Sequence, residues 1–523
     1  MPKPYPEELR LVSTDGEPRG GRNHGRLGQA TVDSVAMGWV HVVTTVILTV
    51  EYGLKLVAVG TVPENRRPSS SSAWLLLILF VPFVGFPLYW LIGSPYVRGR
   101  RHAVQAEANQ RLIEHTGHLP AVPLGVEPSP ALESVLRMAR RLTALPCITG
   151  TDEGLFGDTG EAYAAMTAAV ASARDYVHVE FYIMAWDDTT DPFFTALADA
   201  AGRGVAVRLL MDHLGSRKYP GWRHFRRRLT ESGIEWHLMM PISPLRGQWR
   251  RPDLRNHRKL LVVDGETAFL GSHNMIDPAY GSARNARLGR RWKDLTIKVS
   301  GNIVLSAEAV FATDWYTETG EQLDPREHFA RKPELVPGGS ANAMQLIPSG
   351  PGFPSEPNLR IFTSLVHLAV EKVSITSPYF VPDESLLAAI TTAAYRGVQV
   401  ELFVGKEADQ FLVGHAQRSY YRALLEAGVR IHLYPAPTVL HAKYLTIDDS
   451  VAAIGSSNMD FRSFTLDYEI MLLAFGGDLM ARLQANDRQY RAVAHQLSLA
   501  EWRGQPRYQR YLDNVCRLTS ALM

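Results

Sequence analysis

Apolar and polar positions divide the chain into two parts with different patterns. Two long apolar stretches lie between residues 36 and 93, whereas from about residue 125 short apolar runs alternate with polar, glycine-containing turns. The second stretch, "AWLLLILFVPFVGFPLYWLIG" (73–93), carries no charge and is long enough to cross a bilayer. Proline is tolerated in membrane-spanning helices, so Pro82 and Pro87 do not prevent us from predicting a span over 73–93.

The first stretch, "AMGWVHVVTTVILTVEYGLKLVAVG" (36–60), is less uniform because it contains Glu51 and Lys55. A charge inside a bilayer costs roughly 2.5–3.5 kcal/mol, but opposite charges four residues apart on a helix can pair. We therefore expect another span over 36–60, so that residues 36–97 form a two-helix transmembrane hairpin. A helix that lies in the membrane interface is the alternative.

Basic residues flank the predicted hairpin unevenly. Outside it are Arg19, Arg22, Arg26, Arg98, Arg100 and Arg101, and the loop between the spans holds Arg66 and Arg67. Cytoplasmic flanks carry the excess of arginine and lysine, so both ends of the hairpin are expected in the cytoplasm of a multi-pass cell-membrane protein. We predict that residues 1–35 are a disordered polar tail and that 98–125 are a juxtamembrane linker.

The remainder of the chain repeats itself. "YVHVEFYIMAWD" (176–187) parallels "KVSITSPYFVPD" (372–383), and each is followed by a helical run, a glycine turn and another strand-like run. Strand–helix–strand units predict an α/β fold with mixed, largely parallel sheets flanked by helices. We place the first half at 126–320 and the second at 359–523, joined by a connector rich in proline and glycine at 321–358.

Composition narrows the classes of function. The 523 residues include 55 basic and 53 acidic side chains, so the formal net charge of +2 gives no bulk signature of nucleic-acid binding. Cys147 and Cys516 are the two cysteines, which exclude a disulfide framework and a CxxC metal site. Two reduced thiols are typical of a cytosolic domain.

One sequence motif occurs twice with the same internal spacing. "HRKLLVVDGETAFLGSHN" (257–274) and "HAKYLTIDDSVAAIGSSN" (441–458) both read His-x-Lys, then Asp after four residues, then Gly-Ser-x-Asn after six more. Side chains alternate across a strand, so the His and Lys of each copy share one face. The glycine permits a tight turn that returns the Ser and Asn donors to the same end.

Two such units placed face to face combine paired histidines with several cationic and amide donors. These donors suit the oxygens of a phosphate group, while one histidine attacks phosphorus and the other protonates the leaving alcohol. We expect no metal and no cofactor, because the lysines supply positive charge and neither H-E-x-x-H nor a P-loop occurs. A purely architectural duplication is the alternative, but it does not explain why both copies keep every reactive residue.

The doubled motif resembles the mark of the phospholipase D superfamily, and the whole layout is similar to that of bacterial cardiolipin synthases. Four further sequence segments are similar to this family: "GSHNMIDPAY", "RRWKDLTIKVSG", "GSSNMDFRSFTLDYEI" and the closing "LAEWRGQPRYQRYLDNVCRLTSALM". The resemblance covers residues 36–523. It implies two phospholipase D-like repeats packed with pseudo-twofold symmetry behind the transmembrane hairpin.

The resemblance also implies roles for individual residues. It implies a catalytic set of His257, Lys259, Asp264, His441, Lys443 and Asp448, a phosphate-binding set of Ser272, Asn274, Ser456 and Asn458, and the histidine-orienting carboxylates Asp294 and Glu469. In this family the two motif aspartates usually support the structure, and His257 matches the nucleophile with His441 as general acid and base. The halves are nearly symmetric, so the residues alone leave the identity of the nucleophile open.

For such an enzyme the implied reaction moves a phosphatidyl group from one phosphatidylglycerol to another through a phospho-histidine. Membrane phospholipids and the bilayer are then the partners, and nucleic acid is not. A phospholipase D or another phosphatidyltransferase, using water or a different alcohol, carries the same motif and is the alternative. A nuclease of the superfamily and a catalytically inactive membrane scaffold are the more distant alternatives.

Overall fold

The computed structural model describes residues 26–64, 68–93, 100–123, 125–243, 251–323 and 342–518. The chain separates into two units, Met1–Gly93 and Ser94–Met523. Residues 1–25 of the predicted disordered tail lie outside the described residues, whereas residues 26–35 are helical, so the prediction of disorder is wrong for that part. The side chains of all the arginines used to orient the hairpin except Arg101 also lie outside the described residues.

In the N-terminal unit, helix α1 (Arg26–Thr61) contains the first apolar stretch. Its part from Met37 to Thr61 is long and apolar enough to cross a membrane. The predicted pairing inside it is present, since Lys55 Nζ lies 2.5 Å from Glu51 Oε1. Mutual neutralisation of this pair removes much of the cost of placing two charges in an apolar helix.

The second apolar stretch does not form the single continuous helix expected of a span over 73–93. It breaks into α2 (Pro68–Phe80), α3 (Pro82–Leu88) and a short π-helix (Tyr89–Gly93). The break falls at Val81, whose φ of −136° leaves the helical region directly before Pro82, as expected for a residue that precedes proline. A Cβ on Gly85 would lie 2.8 Å from Ile78 Cα, so α3 packs closely against α2. Within the described residues, α1 is therefore the one helix long enough to span a membrane.

Among the described residues, the larger unit contains one 15-stranded sheet and two small two-stranded sheets, flanked by helices. Its strands are β1 (Ile148–Phe156), β2 (Tyr176–Phe181), β3 (Ala206–Asp212), β4 (Glu235–Met239), β5 (Lys259–Val263), β6 (Thr267–Gly271), β7 (Trp292–Lys293), β8 (Thr296–Ser300), β9 (Asn342–Ser349), β10 (Lys372–Thr376), β11 (Phe380–Val381), β12 (Gln399–Gly405), β13 (Arg430–Tyr434), β14 (Val439–Leu440), β15 (Tyr444–Ile447), β16 (Val451–Gly455), β17 (Met459–Asp460), β18 (Glu469–Phe475) and β19 (His495–Leu497). Its helices are α4 (Arg100–Thr116), α5 (Pro130–Thr143), α6 (Thr159–Ala171), α7 (Asp191–Gly202), α8 (His213–Arg217), α9 (Trp222–Glu231), α10 (Ala283–Arg287), α11 (Ile303–Thr319), α12 (Pro357–Leu368), α13 (Glu384–Tyr395), α14 (Phe411–Arg418), α15 (Tyr421–Ala427), α16 (Phe461–Thr465), α17 (Leu479–Val493), α18 (Leu499–Arg503) and α19 (Arg507–Arg517).

The strand order confirms the two repeats. The order is β19-β13-β12-β10-β15-β16-β18-β9-β1-β8-β6-β5-β2-β3-β4, and β1 pairs with β9 in antiparallel fashion at the centre. Outward from this pair, β8-β6-β5-β2-β3-β4 on one side corresponds to β18-β16-β15-β10-β12-β13 on the other. A pseudo-twofold axis between β1 and β9 produces this arrangement, and β19 extends the second half alone.

The sheets are mixed, as predicted, but the expectation that they are largely parallel is wrong. Parallel pairing within the large sheet is confined, in the part of the chain that the structure describes, to β2-β3-β4 and β10-β12-β13. These strands are the ones joined by the helical crossovers visible in the sequence. Each motif copy instead forms a hairpin, β5-β6 or β15-β16, and a hairpin is necessarily antiparallel.

Three predicted domain boundaries differ from the structure. The 98–125 linker contains α4, and β9 lies inside the predicted connector as the counterpart of β1. Helix α5, assigned to the first half, packs in the core of the second, where Leu136 joins a cluster with Leu365 of α12. Apolar periodicity identifies a helix, but it does not say which half of a duplicated fold that helix covers.

Candidate active site

Backbone pairing between the halves places the second motif histidine. Strand β7 of the first half runs parallel to β14 of the second, with Lys293 opposite Leu440. The backbone N–H of His441 then donates to Lys293 O at 2.7 Å. The next residue after Lys293 is Asp294, whose Oδ1 lies 2.5 Å from His441 Nδ1.

A symmetric pairing places the first motif histidine. Asn256 forms a parallel bridge with Tyr468, and the backbone N–H of His257 donates to Tyr468 O at 2.8 Å. Glu469 follows at once, and its two carboxylate oxygens lie 3.0 and 3.1 Å from His257 Nδ1. Each carboxylate therefore holds the histidine of the other half, and in both cases Nε2 is the ring nitrogen left for chemistry.

The two histidine–carboxylate pairs differ in electrostatics. Burial acts to raise the pKa of Asp294, but the charge of His441 and its hydrogen bond outweigh burial and hold that pKa below its usual range. Burial instead raises the pKa of Glu469 to about 7, although Lys259 opposes the change. Asp294 is thus an anion at neutral pH, whereas the pKa of Glu469 lies in the neutral range.

The motif lysines lie beside their histidines, as strand alternation predicts. Lys259 Nζ donates to His257 O at 2.5 Å, and Lys443 Nζ donates to His441 O at 2.6 Å. Burial lowers the pKa of Lys259 to about 8 and that of Lys443 to about 7. It also lowers the pKa of both histidines, that of His257 most strongly. A bound anion would stabilise the protonated form of each of these four side chains.

The motif asparagines line the same cavity as the histidines. This cavity has a volume of about 870 Å³ and is lined by His257, His441, Asn274 and Asn458. Asn274 Nδ2 donates to Tyr280 OH at 2.8 Å, which fixes the direction of its amide. Asn458 Oδ1 has no hydrogen-bond partner within the described residues. The structure therefore brings both asparagines to the cavity that the two motif histidines line.

The motif serines lie elsewhere than predicted. Ser272 Oγ accepts the backbone N–H of Leu295 at 2.9 Å, and Ser456 Oγ accepts that of Ile470 at 2.9 Å. Ser456 Oγ also donates to Glu469 Oε2 at 2.5 Å. Both serines are buried behind the cavity wall and hold the segments that carry the two carboxylates. Their assignment to phosphate binding is replaced by this supporting role.

The motif aspartates are also outside the cavity, which corrects their place in the catalytic set. Asp264 accepts backbone N–H groups from residues 174, 175 and 176, each at 2.9 Å, at the start of β2. Asp448 accepts those of residues 370, 371 and 372 at the start of β10. Both aspartates have φ near +50°, which lets the short side chain turn back on the backbone. Through these bonds each aspartate fixes the start of a strand of its own repeat.

We expect Asp264→Ala to lower the free energy of unfolding by about 2 kcal/mol, because three backbone donors lose one charged acceptor. Asp264→Asn should cost less, since asparagine tolerates positive φ and keeps one acceptor oxygen. Thermal denaturation of the detergent-solubilised protein, followed by circular dichroism, measures the difference. Wild-type stability combined with lost turnover in Asp264→Ala would instead return this residue to the catalytic set.

A residue that the sequence did not single out lies between His257 and Lys259. Alternation points Arg258 away from the cavity, where it pairs with the buried Asp314 and donates to Glu469 O at 3.1 Å. Arg101 of α4 pairs with the same Asp314 from the other side. The signal available in the sequence was an arginine directly before β5, where alternation turns its side chain into the protein interior. A buried charge requires an oppositely charged partner.

Comparisons with known proteins agree with this geometry. The family described as "Cardiolipin synthase, PLD-like domain" matches residues 166–315 and 362–489. The chain belongs to this family. The family described as "Phospholipase_D-nuclease N-terminal" matches residues 54–94. The protein is accordingly an enzyme of the phospholipase D superfamily.

Relatives match along most of the chain. A cardiolipin synthase of Geobacillus kaustophilus is 31% identical over 463 residues, which are 88% of this chain and 90% of the relative. Cardiolipin synthase A of Proteus mirabilis is 31% identical, over 88% of this chain and 94% of its own length. The crystal structure of phosphatidylserine synthase from Haemophilus influenzae has a TM-score of 0.55 at 15% identity, covering 74% of this chain and 99% of that one. This last likeness supports the fold alone.

Proposed function

We propose that the protein is a cardiolipin synthase, which transfers a phosphatidyl group from one phosphatidylglycerol to a second and releases glycerol. The observation that carries the proposal is the crossed pairing of His257 with Glu469 and of His441 with Asp294 at one cavity. Two oriented imidazoles around one phosphate suit a double-displacement reaction. Cardiolipin synthases are also the relatives that match along most of the chain.

The proposed first step uses the asymmetry of the two pairs. His257 Nε2 attacks phosphorus, the P–O bond to glycerol breaks, and the His441 imidazolium gives its proton to the departing glycerol oxygen. An ionised Asp294 stabilises the imidazolium that this role requires. His257 must be neutral to attack, and burial holds its pKa well below the usual value.

In the proposed second step the hydroxyl of another phosphatidylglycerol attacks the phospho-histidine. His441, now neutral, takes the hydroxyl proton, the P–N bond to His257 breaks, and both residues return to their starting states. Lys259, Lys443 and the motif asparagines stabilise the negative charge on the non-bridging oxygens in both transition states.

The test is to incubate the detergent-solubilised protein with phosphatidylglycerol labelled in its head group and no other lipid. We expect cardiolipin together with labelled glycerol. Phosphatidic acid and glycerol without cardiolipin would support the alternative, a phospholipase D that uses water as acceptor. Absence of turnover in this assay would contradict both readings of the site.

The lysines predict a pH dependence of substrate binding. Their ammonium forms bind phosphate, and the protonated fraction falls above the pKa values of about 7 for Lys443 and about 8 for Lys259. The KM for phosphatidylglycerol should therefore rise by about tenfold per pH unit above pH 7, as Lys443 loses its charge, and more steeply above pH 8, as Lys259 does so too. Lys443→Arg keeps its charge at high pH and should move the start of this rise from about pH 7 to about pH 8. The measurement is KM from pH 6 to 10 for both proteins. If KM begins to rise at the same pH in Lys443→Arg as in the wild type, Lys443 is not the group responsible.

We also propose that residues 36–97 anchor the protein as a multi-pass segment and that the catalytic halves lie in the cytoplasm. The length of α1 and the excess of arginine outside the two apolar stretches support this topology. Alkaline phosphatase is active only outside the cytoplasm, so a fusion at the C-terminus should be inactive, whereas a fusion at residue 65 should be active. The reverse pattern would contradict the topology.

A further inference from the structure

The proposed reaction requires a place for two phosphate groups. The acceptor lipid keeps its own phosphodiester throughout the transfer, and in the product one glycerol joins the two phosphates. In the proposed mechanism the motif donors Lys259, Lys443, Asn274 and Asn458 serve a single phosphate, and of these the two asparagines line the cavity. The second negative charge needs a further partner in the same cavity of about 870 Å³, since a charge taken out of water is costly when unpaired.

Four other cationic side chains line this cavity. Three of them are arginines with carboxylate partners: Arg255 with Asp212 at 3.4 Å, Arg290 with Glu407 at 3.0 Å, and Arg462 with Asp467 at 3.1 Å. The fourth is Lys218, which makes no ion pair with any described residue. An unpaired ammonium at the mouth of a catalytic cavity is the natural partner for an incoming anion.

The position of Lys218 relative to the reacting groups follows from a row of aromatic contacts. Its Nζ lies 5.2 Å from the centre of the Tyr219 ring, and that ring lies 5.9 Å from the ring of Tyr280. The hydroxyl of Tyr280 in turn accepts the amide of Asn274. The rings of Tyr219 and Tyr280 therefore lie between the Lys218 ammonium and the site proposed for the transferred phosphate. Both tyrosines line the same cavity.

The segment that carries Lys218 is held in place against the first motif histidine. A Cβ on Gly215 would lie 2.3 Å from Tyr182 O, so α8 packs directly on that backbone. The ring of Tyr182 contacts the ring of His257 at 4.9 Å. The Lys218 side chain lines the cavity and remains exposed to solvent; partial burial lowers its pKa, and the carboxylates of Asp409 and Asp212 offset only part of this change. An anion bound to the ammonium would offset the rest of the decrease in the pKa of Lys218.

We propose that Lys218 binds the phosphodiester group of the acceptor lipid, as part of a second anion subsite beside the catalytic phosphate site. This inference rests on the transferase function proposed above and goes further by naming what selects the acceptor. An anionic lipid is then favoured over a neutral alcohol in the second step, whereas the first step does not depend on Lys218.

The test offers two acceptors to one phospho-enzyme. The full-length protein in detergent receives phosphatidylglycerol as donor together with ethanol, and cardiolipin and phosphatidylethanol are measured in the same tube. Both products need the donor step, so their ratio reports the acceptor step alone. In Lys218→Met we expect the ratio of cardiolipin to phosphatidylethanol to fall by about 10- to 100-fold, the loss of one charge-assisted contact. Lys218→Arg should restore most of the ratio.

The matched control is Arg217→Met, which removes the same charge from an exposed neighbour that does not line the cavity. Its product ratio should equal that of the wild type, which excludes a general effect of net charge on contact with anionic lipid. An unchanged ratio in Lys218→Met, or an equal fall in Arg217→Met, would overturn the proposal. Absence of cardiolipin from the wild-type protein would instead overturn the proposed function, so the two failures are distinguishable.

Discussion

Replacement of either motif histidine by alanine is expected to lower kcat/KM for cardiolipin formation by on the order of 10⁴-fold or more. In the proposed mechanism His257 and His441 act on one phosphate as nucleophile and proton donor, and the contacts with Glu469 and Asp294 orient them. Groups that act as a unit lose their effect together. The double variant His257→Ala/His441→Ala should therefore be little worse than either single variant.

A substrate with an activated leaving group separates the two roles. The p-nitrophenyl ester of phosphatidic acid needs no proton on its leaving oxygen, so His441→Ala should still release a burst of p-nitrophenol and accumulate phospho-His257. His257→Ala should give no burst. A burst from His257→Ala alone would exchange the two assignments, and wild-type turnover by both variants would indicate a scaffold. Circular dichroism of each variant checks that the fold is retained.

The sequence was informative where spacing along one segment determines geometry. Strand alternation placed Lys259 beside His257 and Lys443 beside His441, and the structure has both contacts. The duplicated strand–helix–strand units predicted two repeats, and the symmetric strand order confirms them. The first prediction needed only the alternation of side chains along one strand, and the second needed only the strand–helix–strand crossover. Both are local properties of the chain.

The crossing of the carboxylates could not be predicted in this way. His257 and Glu469 are 212 residues apart, and His441 and Asp294 are 147 apart. Their contacts follow from two short parallel pairings between the halves, of which a single sequence carries no sign. The carboxylates were recognised as orienting groups by resemblance, but the direction of each pairing is a property of how the halves pack.

Two other differences have local causes that a residue pattern does not resolve. Gly-Ser-x-Asn predicted donors after a tight turn, yet Ser272 and Ser456 turn towards the following segment, where each receives a backbone N–H. The stretch 73–93 satisfied length and hydropathy, but Pro82 removes a helical hydrogen bond and the chain bends at Val81. The apolar composition of a segment predicts that the segment is buried in lipid or protein, but it does not predict whether its helix is continuous.

The second large effect concerns the two orienting carboxylates. We expect Asp294→Asn to lower kcat by about 10³- to 10⁴-fold, because an amide does not stabilise the His441 imidazolium and can hold the ring in the wrong tautomer. Glu469→Gln should cost only about 10- to 100-fold at neutral pH. Burial already raises the pKa of Glu469 to about 7, so much of its charge is absent in the wild-type protein.

The pH dependence of these two variants tests the asymmetry directly. Glu469 is ionised above its pKa, so the kcat of the wild type should increase as pH rises from 6 to 8, and the kcat of Glu469→Gln should lack this increase. The two proteins should therefore converge at pH 6 and diverge at pH 8. The pKa of Asp294 lies below its usual range, so Asp294 stays ionised throughout and the deficit of Asp294→Asn should be the same at both pH values. Equal and pH-independent deficits in the two variants would mean that the histidines share their roles, and that the cavity has no fixed nucleophile.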